Sequence, residues 1–167
     1  MAIPTDYALM AQMAITLAGF TGLVGISRRE GGRAVTSRER MHLGLIVQTA
    51  SFVVFLGFLP TALSLLPIAP ETQWRTSISI MAVAHIITWI GVAYHSDYGR
   101  KFFTDLKGME QIVGLSSIPF GLAAVGGEWL MAFGLLQAYI PFLYEAVLML
   151  FLSVGLWSFM SLLLRDS

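Results

Sequence analysis

The chain has 167 residues, of which 56% are hydrophobic and only 12% are charged, and its formal net charge is zero. Soluble domains carry about a quarter charged residues, so this composition lacks the polar surface that a water-facing globule needs and predicts an integral membrane protein. The neutral balance offers no basic surface for nucleic acid, and the absence of cysteine excludes disulfides, thiolate metal sites and cysteine catalysis.

The first predicted membrane span covers residues 7–26, a length of about 20 residues that matches a hydrocarbon core of about 30 Å. Gly19, Gly22 and Gly25 recur at a spacing of three in its second half. Small residues let a neighbouring helix approach closely in a membrane, so we expect this face to pack against protein. Another helix of the same chain is the first expectation, and a contact between copies of the chain is the alternative.

An arginine-rich loop follows the first span. Its basic side chains are opposed only by Glu30 and Glu39, which leaves a net charge of +3. The five basic residues are Arg28, Arg29, Arg33, Arg38 and Arg40. Because basic residues next to a span resist translocation, this loop is predicted to stay in the cytoplasm and to fix the orientation of every span.

The second span, residues 43–66, belongs to a helix that we expect to begin inside the loop. Thr36 and Glu39 have the spacing of a capping box, in which each side chain accepts a hydrogen bond from the other residue's backbone N–H. Pro67 and Pro70 are expected to end the helix. Gln48 lies within the span, where it is predicted to hydrogen-bond to another helix or to line a polar pathway.

The third span covers residues 75–94 and places His85 near its centre. A polar segment with three cations follows at residues 95–111. It predicts a second cytoplasmic loop with a short interfacial helix around Phe102 and Phe103.

The remaining apolar run carries only two charged residues, Glu128 and Glu145, and is too long for one span. Spans at residues 112–136 and 141–164 with a tight turn between them fit its length. A turn at Gly126–Gly127 is the alternative, and it would make the fourth span short or re-entrant.

Together, these segments predict an all-α fold, a polytopic transmembrane helical bundle that forms one domain over residues 1–167. Five crossings, with the N-terminus outside and the C-terminus inside, put nine of the ten basic residues in the cytoplasm and only Arg75 outside. Four crossings are the alternative, but they send Arg165 outside and leave an unexplained hydrophobic length.

Three ionisable side chains lie within the predicted spans, where each costs about 2.5–3.5 kcal/mol and commonly marks a functional site. His85 could pass on a proton or bind a metal. Glu128 and Glu145 are predicted at similar depth, so they could share a site that His85 joins. The alternatives are a histidine that hydrogen-bonds to a polar side chain of another helix, a Glu128 in the outer water, and a Glu145 in the first turn of its helix.

Two further histidines, His42 and His95, lie near the predicted inner surface. Two histidines at one depth could ligate haem or a metal, but no second ligand set or spacing motif accompanies them, so we predict that both are solvated. Metalloprotease, serine-hydrolase and phosphate-loop motifs are absent from the sequence. We therefore predict neither enzymatic activity nor a bound cofactor.

The segments GFTGLVGISRREGGR and FLGFLPTALSLL resemble small, uncharacterised multi-pass membrane proteins of bacteria. The resemblance covers the first two helices and implies a bacterial inner membrane, with no activity attached. We hypothesise a role in helix–helix association, as a homo-oligomer or as an accessory subunit of a membrane complex, because the loops are minimal and the faces rich in small residues. A proton or cation pathway that uses His85, Glu145 and Glu128 is the alternative.

Overall fold

The structure, a computed structural model, describes residues 6–30, 36–94 and 109–163. Five α-helices lie in these ranges: α1 (Asp6–Glu30), α2 (Ser37–Ser64), α3 (Pro70–Tyr94), α4 (Met109–Ala132) and α5 (Ile140–Leu163). A short 3-10 helix, Gln137–Tyr139, precedes α5. The described ranges contain no strand, so the predicted all-α class is confirmed.

Three of the helices are long and apolar enough to cross a membrane, over Tyr7–Ser27, His42–Ser64 and Gln137–Leu163. Within α4, a shorter apolar stretch covers Ile118–Ala132. Helices of this length and composition are those of a membrane protein. The number of spans and their orientation stay predictions.

The capping box at the start of α2 is confirmed. The backbone N–H of Thr36 donates to Glu39 Oε2 at 2.7 Å, and the backbone N–H of Glu39 donates to Thr36 Oγ1 at 3.2 Å. At the other end, the expectation that Pro70 belongs to the end of this helix was wrong, since α2 ends at Ser64 and Pro70 is the first residue of α3. Proline suits a first helical position because the N–H that it lacks would have no partner there.

The turn between α4 and α5 agrees with the first of the two alternatives, but α4 already ends at Ala132, before the predicted end of the fourth span at residue 136. Gly134, with a φ of 92°, follows the end of α4. Its N–H donates to Met131 O at 2.9 Å and that of Leu135 donates to Leu130 O at 3.0 Å, which together form a Schellman motif. The alternative turn at Gly126–Gly127 was wrong, because both glycines lie inside α4.

The chain divides into two compact units. The α1–α2–α5 unit consists of Met1–Pro67 and Glu145–Ser167, and the α3–α4 unit consists of Ile68–Tyr144, which includes the first turn of α5. In the first unit α1 packs along α2, and in the second unit α3 packs along α4. The single domain over residues 1–167 stays a prediction.

Helices of the α1–α2–α5 unit meet at two glycines. A Cβ atom placed on Gly57 of α2 would lie 3.2 Å from the carbonyl oxygen of Tyr7 in α1. A Cβ atom on Gly155 of α5 would lie 2.8 Å from Thr49 Oγ1 and 3.1 Å from Leu17 Cδ2. The close approach of the helices in this unit therefore requires glycine at these two positions.

Candidate functional site

A buried acid–base pair joins the two main helices of the α3–α4 unit. Nδ1 of His85 in α3 lies 3.0 Å from Oε1 of Glu128 in α4. The His85 side chain is 3% exposed and that of Glu128 is 0% exposed. The structure thus brings together two of the side chains that the sequence analysis selected, and we call them the His85–Glu128 pair.

The helical repeat of α3 places His85 on a buried face. Ile78, Met81 and Ala82 precede it at helical spacing, and all three are fully buried. In α4, Glu128 lies one turn before the last residue, Ala132. Apolar side chains on the same face as the imidazole therefore shield the pair from water.

A second contact fixes the direction in which α3 and α4 run. The Nη2 group of Arg75, near the start of α3, donates to the carbonyl oxygen of Ala132, at the end of α4, over 3.2 Å. The two helices are therefore antiparallel. The arginine also satisfies a carbonyl that the helix itself leaves free and brings a cation to the negative end of the α4 dipole.

The His85–Glu128 pair can hold one proton in two arrangements. A carboxylic acid can donate to a neutral imidazole, or an imidazolium can donate to a carboxylate, and both arrangements have zero net charge. They differ by the movement of one proton across the 3.0 Å contact. Since the net charge does not change, neither arrangement leaves an isolated charge in apolar surroundings.

The other oxygen of the carboxyl group has a different environment. Glu128 Oε2 is buried and has no hydrogen-bond partner among the residues that the structure describes. A buried polar atom without a partner is rare in folded proteins and calls for a functional or chemical reason. A carboxyl group that binds and releases a proton is one such reason.

A metal centre has little support in the described ranges. No group of three or more histidine, cysteine, aspartate or glutamate side chains is close enough there to hold one ion. The His85–Glu128 pair alone supplies two ligands, and protein zinc sites generally use three or four.

Two of the alternatives considered for the acidic residues were wrong. Glu128 does not reach the outer water, because its side chain is fully buried against α3. Glu145 does not cap α5, because the helix begins at Ile140 and Glu145 lies beyond its first turn. Glu145 and Gln48 belong to the α1–α2–α5 unit, where both are half-buried, and their part in a pathway stays a prediction.

The prediction that His42 is solvated was wrong as well. Its side chain is 6% exposed although it lies only two turns from the start of α2. The burial of this histidine depends on tertiary packing, which the sequence of one helix does not reveal. His95, Phe102 and Phe103 lie outside the described residues.

The glycines of α1 differ in their surroundings. No described atom lies within 4 Å of a Cβ placed on Gly19 or Gly22, and both residues are exposed. Gly25 has a neighbour, since its Cβ would lie 3.9 Å from Leu43 Cδ2. Among the described residues, intrachain packing is therefore seen at Gly25 alone of the three.

The arginines of the predicted cytoplasmic loop flank the ends of two helices. Arg40 is exposed in the first turn of α2. Arg28 and Arg29 lie in the last turn of α1 and Arg38 in the first turn of α2, but the structure does not describe their side chains. Arg33 lies outside the described residues.

Sequence reasoning missed two parts of the α3–α4 unit. One is the bond from Arg75 to the end of α4, for which the only signal was an isolated cation at a predicted span end. The other is an edge-to-face contact between Trp74 and Tyr144, whose ring centroids are 6.0 Å apart. Tyr144 is fully buried, so this contact belongs to the core of the unit.

No family model, curated protein sequence or solved structure matches this chain. Its function is therefore inferred from the geometry of the His85–Glu128 pair and from the surfaces that the helices leave open.

Proposed function

We propose that this chain is a multi-pass protein of a bacterial inner membrane that transfers protons through the His85–Glu128 pair. Three long apolar helices support the membrane part of the proposal. We further propose five spans with the N-terminus outside and the C-terminus inside, because this threading leaves nine of the ten basic residues in the cytoplasm.

The 3.0 Å contact between His85 Nδ1 and Glu128 Oε1 is the observation that carries the proposal. Ionisable groups are expensive inside a bilayer and are found mainly along ion pathways and proton relays. An imidazole titrates near neutral pH when unperturbed, and a carboxyl group beside it can exchange a proton with it over a single hydrogen bond. An apolar pair of the same size would hold α3 and α4 together equally well, so packing alone does not require these two residues.

Proton flux into liposomes tests this proposal. The purified chain is reconstituted around a trapped pH-sensitive dye, a pH gradient is imposed, and a potassium ionophore compensates the charge. Wild-type protein is expected to dissipate the gradient. Glu128→Gln is expected to reduce the flux to the level of empty liposomes, because the amide keeps the size and hydrogen-bonding capacity of the carboxyl group but carries no exchangeable acid proton.

Glu71→Gln is the matched control. Glu71 is an exposed side chain in the first turn of α3, so Glu71→Gln makes the same carboxyl-to-amide change without touching the pair, and flux is expected to persist. Wild-type flux equal to that of empty liposomes at every pH would overturn the proposal. So would full flux in Glu128→Gln.

The second candidate is association with a partner helix through α1. It is favoured by Gly19 and Gly22, which are exposed and have no described neighbour within 4 Å. Close backbone approach at such positions stabilises helix pairs in membranes. The partner would be a second copy of the chain or another membrane subunit.

Mass measurement in mild detergent tests association. An oligomer that dissociates in Gly22→Leu but persists in Gly126→Leu supports it, because both glycines are exposed but only Gly22 lies on the proposed face. A monomeric wild type that co-purifies with no other subunit contradicts it. This result does not depend on whether the chain conducts protons.

A further inference from the structure

A polar cleft lies beside the start of α3 and the end of α4. Its volume is about 320 Å³. The residues that line it are Thr72, Arg75, Thr76, Ser79, Ile80 and Ala132. Since water occupies about 30 Å³ per molecule in the liquid, the cleft has room for roughly ten waters or one small polar group such as a glycerol phosphate.

Arg75 is the positive charge of this cleft. Its Nη2 group donates to Ala132 O, which fixes the guanidinium at the end of α4. A guanidinium has five N–H donors, so the bond to Ala132 leaves others available, and Arg75 is exposed where it lines the cleft. Glu71 lies one turn before Arg75 but is not among the lining residues. The fixed arginine therefore favours an anion.

Hydroxyl groups supply further donors. Thr72 and Thr76 are four residues apart in α3 and line the same cleft, so their side chains lie one above the other. The hydroxyl of Ser79 already donates to the carbonyl oxygen of Arg75 at 2.7 Å. An arginine with two threonine hydroxyls is a donor set that suits the oxygens of a phosphate group.

The position of the cleft in the fold indicates which class of molecule would carry such a phosphate group. In the proposed five spans, on which this inference rests, the start of α3 and the end of α4, where the cleft lies, are at the level of the lipid headgroups. Directly after Ala132, the large apolar side chains of Phe133, Leu135 and Leu136 are exposed. A ligand with a phosphate beside hydrocarbon chains matches both features.

We propose that this cleft binds the phosphate of an anionic phospholipid, with Arg75 pairing with its charge and Thr72 and Thr76 donating to its oxygens. The site is separate from the His85–Glu128 pair and does not depend on proton transfer. It would hold a lipid against the antiparallel ends of α3 and α4.

Native mass spectrometry of the full chain in mild detergent tests the proposal. The delipidated protein is mixed with equal amounts of phosphatidylglycerol and phosphatidylcholine, and wild type is expected to retain the anionic lipid preferentially. Arg75→Gln is expected to lower this preference by about fivefold, the effect of one cation at a charged membrane surface. The double variant Thr72→Val with Thr76→Val is expected to lower it less, while leaving the bond from Arg75 to Ala132 intact.

Arg40→Gln is the control, because Arg40 is an equally charged, exposed residue near a helix end in the other unit. Its preference for phosphatidylglycerol is expected to equal that of wild type. The proposal is overturned if wild type retains both lipids equally, if Arg40→Gln loses as much as Arg75→Gln, or if the double threonine variant keeps the full preference. Displacement of the lipid by millimolar inorganic phosphate would assign the cleft to free phosphate and overturn the lipid as its ligand.

Discussion

The two units of this chain hold their helices together in different ways. In the α1–α2–α5 unit, α5 approaches α2 at Gly155, where a Cβ atom would lie 2.8 Å from Thr49 Oγ1. In the α3–α4 unit, a buried contact between the two main helices is the polar His85–Glu128 pair. At the first contact, an added methyl group would clash with the neighbouring helix. At the second contact, removal of one side chain would leave the other buried without its hydrogen-bond partner. The stability of the α1–α2–α5 unit therefore depends on steric fit, whereas that of the α3–α4 unit also depends on a buried hydrogen bond between two ionisable side chains.

The largest expected effect follows from removing one member of the polar contact. His85→Ala leaves the carboxyl group of Glu128 buried without its imidazole, and we expect the free energy of unfolding to fall by about 3–5 kcal/mol, because the desolvation of the acid is no longer compensated. Titration with sodium dodecyl sulfate in mixed micelles, followed by circular dichroism, measures this change.

A double variant sharpens the same test. Replacing both His85 and Glu128 by leucine is expected to restore stability to within about 1 kcal/mol of wild type, since an apolar pair needs no hydrogen-bond partner. Equal stability of His85→Ala and wild type would contradict the view that the α3–α4 unit depends on its polar contact.

In the α1–α2–α5 unit, the close contact at Gly155 is disrupted by adding a methyl group and not by removing a side chain. Gly155→Ala places a methyl group 2.8 Å from Thr49 Oγ1, and we expect a loss of about 1–3 kcal/mol from overpacking. Gly126→Ala is the control, because that exposed position has no described atom within 4 Å of an added Cβ and alanine is the better helix former. If Thr49→Ala fails to recover part of the loss in the Gly155→Ala background, the hydroxyl is not the obstacle.

A smaller effect is expected at the turn that ends α4. Gly134 has a φ of 92°, which is unfavourable for a residue with a Cβ, so Gly134→Ala should destabilise the chain by about 1–2 kcal/mol. Gly126→Ala, in open space within α4, should instead stabilise the chain by up to about 1 kcal/mol. The same micelle titration compares them, and similar values for the two variants would contradict the role of the turn.

The smallest effect is expected at the start of α2. Thr36→Ala removes the acceptor for the backbone N–H of Glu39 and should cost about 0.5–1 kcal/mol, because this cap is exposed. Thr36→Ser keeps the hydroxyl and should retain wild-type stability. Hydrogen exchange at the Glu39 amide reports the local change, and unchanged exchange in Thr36→Ala would refute the contribution of the cap.

Local signals in the sequence were sufficient for the helical class and for some of the helix ends. The capping box of Thr36 and Glu39 depends on residues three apart, and the turn before α5 follows from the length of the apolar run. Such features need no knowledge of neighbouring helices. They were the predictions that the structure confirmed.

Contacts between helices were harder to predict because they depend on how each helix is rotated. The sequence selected His85 and Glu128 as separate candidates, but their pairing needs α3 and α4 to be antiparallel with these faces together. The regular spacing of Gly19 and Gly22 suggested a close approach within the chain, yet among the described glycines of the α1–α2–α5 unit the close approaches are at Gly155 and Gly57, which have no such pattern. The spacing of glycines in the sequence therefore does not by itself predict which of them lie at a contact between helices.

The discontinuity of the α1–α2–α5 unit has a consequence for biosynthesis. The ribosome makes residues 68–144 after α2 and before the part of α5 that carries Gly155. Until then, Thr49 and Leu17 lack the backbone that later lies against them. The nascent α1–α2 hairpin therefore exposes the surface that α5 later covers, and slow synthesis of residues 68–144 would prolong that exposed intermediate.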